Sequence, residues 1–521
     1  MGKNVSRRSF LKKSIYTGAA IGGTVLAGAS AWSVFKESPI DELYGEYPDA
    51  SRLKPLEIEN SRAEKPNVIV IYCDDLGYGD LGCYGSQSIH TPHVDRLARG
   101  GTRFTDFYSC AAVCAPSRAG LLTGRYPFRT GVIGNPYPKG EPLTKSIARR
   151  FGVMLKNLGV IDLREDYVAR GLDSREITMA EALKTAGYRT GMVGKWHLGD
   201  YSRQPEFNPR NHGFDEYFGV PHSNDMSPFP LYKNEKEVEA DLGNNQAHLT
   251  GLYTKEAKRF IIDSGDKPFF LYFAHTFPHQ PLHASEKFSK KSDGGKFGDA
   301  VEEIDWSVGE LVKLLEQKNL RKKTMIIFTS DNGPWYEGSS GSLRGRKGQS
   351  YDGGFRVPFI VNWPGKVPAG RTVSEAAMNI DLFPTMLHLA GVKEPSDRTI
   401  DGKNILNLMR GKNSESPHEQ LFFYHYDLLT GIRMKNWKYY RQINRYTWPI
   451  PLDAAAIPNS LGKSQMGNRS PLLYNMEKDP GESYNVINTF PKVAGTLQEK
   501  MKKWEQAVSK NPRGFKNPLG S

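Results

Sequence analysis

The sequence predicts an α/β fold: a large, mostly parallel sheet covered by helices on both faces, followed by a smaller C-terminal antiparallel subdomain. Three observations carry that expectation. Short continuous apolar runs recur along the chain, the pattern of strands buried on both faces. Helical patterns alternate with them, which favours parallel strands joined by helical crossovers. Beyond about residue 417 the texture changes to short aromatic-rich segments separated by turns, which suits antiparallel pairing.

In chain order, residues 32–65 carry Pro39, Pro48 and Pro55 with no sustained period and read as a linker wrapping the surface. The main domain is expected from 66 to 416. It opens with Asn-Val-Ile-Val-Ile-Tyr at 67–72, a buried strand. Residues 119–125 read as a helix with Pro116 in its first turn. A helix at 178–186 precedes a weaker strand at 188–193, and strong strands follow at 268–274, 324–329 and 357–362. At 299–315, Val301, Ile304, Val308, Leu311 and Leu315 stand three and four apart, so one helix face is apolar. The subdomain, 417–521, is expected to hold strands at 421–426, 431–441 and 472–475 and a helix near 493–508.

Composition narrows the function classes. The 521 residues are 38% hydrophobic and 24% charged with 52 glycines, which excludes a disordered chain or a multispanning membrane protein. Four cysteines, at 73, 83, 110 and 114, are too sparse for a disulfide framework. The formal charge is +13, but Lys3, Arg7, Arg8, Lys12 and Lys13 stand in the first 13 positions with no acid, and without them +8 remains. Such a charge attracts polyanions, and with no run of Lys and Arg the sequence gives no sign of nucleic-acid binding. Residues 6–12, Ser-Arg-Arg-Ser-Phe-Leu-Lys, precede an uncharged stretch at 14–35 and resemble a twin-arginine export signal. Cleavage is expected after Ala31, giving a 1–31 signal peptide, a twin-arginine translocase as partner, and a periplasmic or secreted product. The stretch is rich in Gly, Ala, Ser and Thr, so no stable membrane span is expected.

The chemistry concentrates at strand ends. The strand at 67–72 runs into Cys73-Asp74-Asp75, and that at 324–329 leads to Asp331-Asn332-Gly333. Ligands of open α/β sheets bind beyond the carboxyl ends of strands. Adjacent carboxylates there need compensation, and their oxygens suit Ca²⁺ or Mg²⁺. Cys114-Ala115-Pro116-Ser117-Arg118 places a cysteine at a helix start, where a lowered thiol pKa would make it a nucleophile or redox group. A buried inert cysteine and a disulfide to Cys110 stand beside that reading.

Cys114-Ala115-Pro116-Ser117-Arg118 with Leu121-Leu122-Thr123-Gly124-Arg125 resembles the signature of the type I, formylglycine-dependent sulfatases. Asp74-Asp75, Gly194-Lys195-Trp196-His197-Leu198-Gly199, Pro278-His279, Asp331-Asn332-Gly333 and Gly353-Gly354-Phe355-Arg356-Val357-Pro358 follow that family's order, with the strongest likeness to its arylsulfatase A and lysosomal N-acetylgalactosamine sulfatase branch. The resemblance implies an alkaline-phosphatase-like fold and sulfate ester hydrolysis. It also implies that a formylglycine-generating or anaerobic maturase oxidises Cys114 to Cα-formylglycine. It further implies one Ca²⁺ held by Asp74, Asp75, Asp331 and Asn332 and touched by the modified Cys114. Arg118 would position the nucleophile, Lys195 and Lys347 bind sulfate, His197 partner the nucleophile, and His279 face the leaving oxygen. Ser223 matches a sulfate-contacting serine. His222 and Asn224 differ from arylsulfatase A, and the 221–228 loop is expected at the pocket rim as a sugar-selecting element. The expected substrate is a sulfated carbohydrate or aryl sulfate. Phosphonate monoester or phosphodiester hydrolysis, and silent binding of a sulfated glycan, are the alternatives.

Overall fold

The computed structural model describes residues 56–136, 171–202, 204–412, 415–444, 466–467 and 471–516. The expected export signal at 1–31 and the first part of the 32–65 linker lie outside the described residues. The main sheet runs β1 (Asn67–Cys73), β2 (Thr102–Phe104), β3 (Arg189–Lys195), β4 (Glu216–Val220), β5 (Leu231–Lys233), β6 (Lys236–Glu239), β7 (Phe269–Ala274), β8 (Thr324–Ser330), β9 (Phe359–Asn362) and β10 (Arg371–Val373). In space the order is β10-β2-β9-β8-β1-β7-β3-β4-β5-β6. The central block β8-β1-β7-β3-β4 is parallel throughout, which aims all five carboxyl ends the same way.

Alternation along the strands explains why the sheet is covered twice. Val68, Val70 and Tyr72 enter one apolar layer and Ile69, Ile71 and Cys73 the other, none more than 1% exposed. Helices α1 (Pro92–Arg99), α2 (Cys114–Thr123), α3 (Met179–Thr185), α4 (Leu249–Asp263), α5 (Gly295–Gln317) and α6 (Leu382–Ala390) divide between the two faces. Apolar residues of α2, α3 and α6 join the first layer, and those of α1, α4 and α5 join the second. Each fully buried Ile or Phe in these layers stabilises the fold by roughly 1.5–3 kcal/mol. Thr178 starts α3 with a capping box to Glu181. Among the described residues no helix is long and apolar enough to cross a membrane.

The structure adds one strand direction and corrects one expectation. The strand expected at 357–362 belongs to the sheet but runs antiparallel, with Phe359 opposite Thr329. Residues 331–358 between it and β8 carry the site loop with Lys347 and only the four-residue helix Asp352–Phe355, so no helical crossover packs back on the sheet to restore the parallel direction. The single strand expected at 431–441 is a hairpin. In the subdomain β11 (Leu421–His425), β12 (Leu428–Met434), β13 (Trp437–Tyr440) and β14 (Leu472–Asn475) form an antiparallel sheet, and α7 (Pro491–Lys510) follows. The chain turns between β12 and β13 at Lys435, whose φ of 52° is left-handed, without the glycine that marks such a turn. Trp504 of α7 stacks on Phe422 of β11 with ring centroids 4.3 Å apart.

Three histidines are buried neutral. Burial pushes His212 and His222 down to about 4 and His275 to about 3. The unfolded chain takes up these protons near pH 6.5 and the folded chain does not, so their stabilisation is complete above 6.5 and is lost as pH falls toward 4. Each lowers stability by up to about 1.4 kcal/mol per pH unit in that window. Asp80, Glu181, Asp305, Asp331 and Glu482 oppose that loss, because they are pushed up to about 7 and take up protons in the folded chain before the unfolded one does.

Candidate active site at the carboxyl ends of the parallel strands

The two central strands deliver adjacent pairs of oxygen-bearing side chains. Asp74 and Asp75 follow β1, Asp331 and Asn332 follow β8, and Asp331 N donates to Cys73 O at 3.1 Å, which locks the two ends together. Asp75 N donates to Asp331 Oδ1 at 3.1 Å, and Asn332 Nδ2 donates to Asp75 Oδ1 at 2.7 Å. Asp75 holds a left-handed φ of 63°, a strained conformation of the kind that marks functional sites. All four side chains are buried.

Cys114, the first residue of α2, points its Sγ at Asp74 Oδ1, 3.2 Å away. One turn on, Arg118 Nη2 donates to Asp331 Oδ2 at 2.7 Å and Nη1 to Lys195 O at 3.1 Å. Beneath them Asn379 Nδ2 donates to Ser117 Oγ at 2.9 Å, tying α2 to the start of α6's segment. Lys195 closes β3 and ion-pairs with Asp74 while donating to Ser223 Oγ at 3.0 Å. Its delivery depends on Gly194, where a Cβ would meet the Ala274 carbonyl oxygen at 1.7 Å. Lys347 reaches in from the opposite side to Asp75 at 2.8 Å.

His279 Nδ1 faces two acceptors, Asn224 Oδ1 at 2.9 Å and Gln280 O at 2.5 Å, so that nitrogen carries the proton. Nε2 is left facing Ser223 Oγ at 3.4 Å and Asp75 Oδ2 at 3.7 Å. His197, at φ 58° and fully buried, has both ring nitrogens without a hydrogen-bond partner.

The lowered thiol pKa expected for Cys114 is overturned. Burial and the charge of Asp74 push it well above the usual range, and the helix end does not compensate. The disulfide to Cys110 is also absent; both thiols are free and buried. Burial would raise Asp74, yet Lys195, His279, Arg118 and Lys347 hold it well below the usual carboxylate range. Burial and Asp74 push Asp331 up to about 7 despite Arg118.

Cys114, Arg118, Lys195, His279, Lys347 and Ser223 thus gather around the four oxygen-bearing residues. His222 and Asn224 lie beneath the surface, each 3% exposed, rather than at an open rim; in that loop Asp225 reaches solvent. Asn224 is anchored, its Nδ2 donating to Gln246 Oε1 at 3.1 Å and to Pro281 O at 3.1 Å. Gln246 and Asn379 are residues that sequence reasoning missed, since an isolated amide carries no motif.

A cation fits this donor set. Ligand atoms of Asp74, Asp75, Cys114 and His279 lie within 4.8 Å of one another, and Asn332 Oδ1 is buried without a partner. The Asp331 carboxylate is shared between Arg118 and the Asp75 amide. Hard oxygens in such number suit Ca²⁺ or Mg²⁺.

Comparisons with known proteins agree with this arrangement. A sulfatase family model matches residues 66–392, and a model for the C-terminal region of aryl-sulfatase matches 416–518. Arylsulfatase A of Homo sapiens is 37% identical over 480 residues, covering 85% of this chain and 87% of the relative. N-acetylgalactosamine-6-sulfatase of Canis lupus familiaris is 36% identical over 468 residues, covering 84% of each. The solved structure of Ps i-CgsB in complex with k-i-k-neocarrahexaose superposes with a TM-score of 0.67 at 29% identity, over 84% of this chain and 92% of that one. With the family model spanning the strands that carry every acidic and basic group described above, the chain belongs to the sulfatase family.

Proposed function

We propose that this chain removes sulfate from a sulfated carbohydrate, with Cys114 oxidised to Cα-formylglycine and one Ca²⁺ held by Asp74, Asp75, Asp331 and Asn332. The observation that carries the reading is the convergence of Cys114, Lys195, Lys347 and His279 on two buried aspartates at one end of the parallel sheet. Once installed, the aldehyde would add water to give a hydrate whose hydroxyl is the oxygen nucleophile, and the ion would draw charge from the sulfate oxygens.

The chain's own groups do the rest. A sulfate monoester is an anion, so Lys195 and Lys347 neutralise the oxygens on which charge grows. Ser223 Oγ, between Lys195 Nζ and His279 Nε2, offers them a hydrogen bond. Arg118 Nη2 lies 3.6 Å from Asp74 Oδ1, the oxygen that Cys114 Sγ touches, and so orients position 114 through Asp74, and the unpartnered ring of His197 lies close enough to Lys195 and Arg118 to feel their charge. With Nδ1 committed, His279 gives a proton to the departing alcohol only from Nε2 of the doubly protonated ring, a form that burial and the charge of Lys347 disfavour before substrate binds.

The carbohydrate substrate is supported by the relatives, one named for N-acetylgalactosamine 6-sulfate and one bound to a carrageenan oligosaccharide, and by the +8 charge that remains after residue 31. The twin-arginine motif supports export of the folded chain to the periplasm or medium, after a maturase has acted on Cys114. Rates on aryl sulfate, aryl phosphate and an aryl phosphodiester, followed by a panel of defined sulfated oligosaccharides, test the reaction. Preference for either phosphorus ester selects phosphonate or phosphodiester hydrolysis instead, and binding of the sulfated sugars without turnover of any ester selects a silent binder.

The buried position of Asn224 changes its expected role from sugar contact to orientation of His279. Asn224→Ala should lower kcat about 10- to 100-fold on aryl sulfate and on sulfated sugar alike, as losses of ligand-orienting partners do. A loss confined to the sugar substrate restores the selectivity role.

A further inference from the structure

Next to the site lies a cleft of about 680 Å³, within the size range of ligand pockets. Its walls continue the strand ends that build the site. Gln280 and Pro281 follow His279 directly, and Glu337 follows Asn332 by five residues. Further walls include Asn244, from the loop that supplies Gln246, and Lys296 at the start of α5.

These side chains are uncommitted. Asn244, Lys296 and Glu337 are exposed, and none has a hydrogen bond or ion pair with the described residues. His283, also in the wall, has a buried Nε2 with no partner. Phe297, 5% exposed, forms part of the lining and is apolar. Half-buried Pro281 and Leu282, edged by the amides of Asn244 and Gln280, fit the face and the hydroxyls of a sugar ring, Lys296 fits an anionic substituent on it, and the imidazole of His283 offers a further hydrogen bond.

We propose that this cleft is a subsite for a neighbouring sugar of a sulfated glycan, contacted through Asn244, Gln280, His283 and Lys296. The proposal rests on the sulfated-carbohydrate reading above and adds the place where chain length is sensed. The cleft is mechanically joined to the reacting end: Gln280 O accepts from His279 Nδ1, and Pro281 O accepts from Asn224 Nδ2. A sugar seated there presses on the backbone that orients His279, so occupancy is felt in kcat as well as KM.

The test uses the matured full-length protein, its Lys296→Glu and His283→Ala variants, and a small aryl sulfate as reporter. Inhibition of the reporter is measured with mono- and tetrasaccharides of chondroitin sulfate and of carrageenan. The expected result is at least one tetrasaccharide inhibiting ten-fold or more better than its monosaccharide. Lys296→Glu should erase that gain and His283→Ala reduce it, with kcat/KM on the reporter within two-fold of the parent. A tetrasaccharide gain absent from the parent, or unchanged in both variants, overturns the subsite. Failure of the parent to hydrolyse the reporter overturns the sulfatase reading itself and is scored separately.

Discussion

Cys114→Ala should abolish turnover, by at least about 10⁴-fold in kcat, because it removes the reacting atom and not a contact. The fold should survive. Cys114 is a small buried side chain whose thiol makes its shortest polar contact with Asp74, and alanine fills most of its volume. The melting temperature should stay within about 2 °C of the parent. Cys114→Ser should be equally inactive unless the host converts serine. Mass spectrometry of the tryptic peptide containing residue 114 should show loss of sulfur in active protein only. Full activity in the alanine variant, or in protein that retains the thiol, rejects the nucleophile.

Removing calcium should cost nearly as much. With Asp74 and Asp75 at 0% and 2% exposure and Asn332 Oδ1 unpartnered, the site holds oxygens that solvent does not reach. Chelation should lower kcat by about 10³-fold or more, and added Ca²⁺ should restore it. Binding of one Ca²⁺ per chain should also raise the melting temperature in a concentration-dependent way. Asp75→Ala should remove both effects. Undiminished activity after chelation, with no thermal shift on adding Ca²⁺ or Mg²⁺, rejects the ion.

The fold was legible where one physical signal dominates. Runs such as Val68 to Tyr72 are apolar at every position because both faces are covered, and no other soluble element requires that. Lys435 was illegible, since its turn is imposed by strand pairing on a residue with no preference for it. The acidic pairs after β1 and β8 could be read because strand ends are where such sites form. The thiol pKa of Cys114 could not, because Asp74, which raises it, lies 40 residues earlier in the chain. The anchoring of Asn224 was illegible for a related reason: its partners Gln246, His279 and Pro281 come from two other loops.

The loop carrying Lys347 is closed by Gly353 N donating to Arg344 O at 2.7 Å, and its far end is gripped from the C-terminal sheet. Asp352 N donates to Glu482 Oε2 at 2.7 Å, Arg344 Nη1 donates to Glu482 O at 2.8 Å, and Lys438 of β13 ion-pairs with Asp352, the side chains of Asp352, Lys438 and Glu482 all being fully buried. Losing one member of such a pair costs about 3–5 kcal/mol, because the other is stranded. Chimeras that graft a foreign C-terminal half onto this chain must therefore transplant Asp352, Lys438 and Glu482 together, although Asp352 lies on the other side of any cut placed near residue 417. A graft that splits the trio leaves every residue of the acidic centre in place and still loosens the loop that brings Lys347 to Asp75.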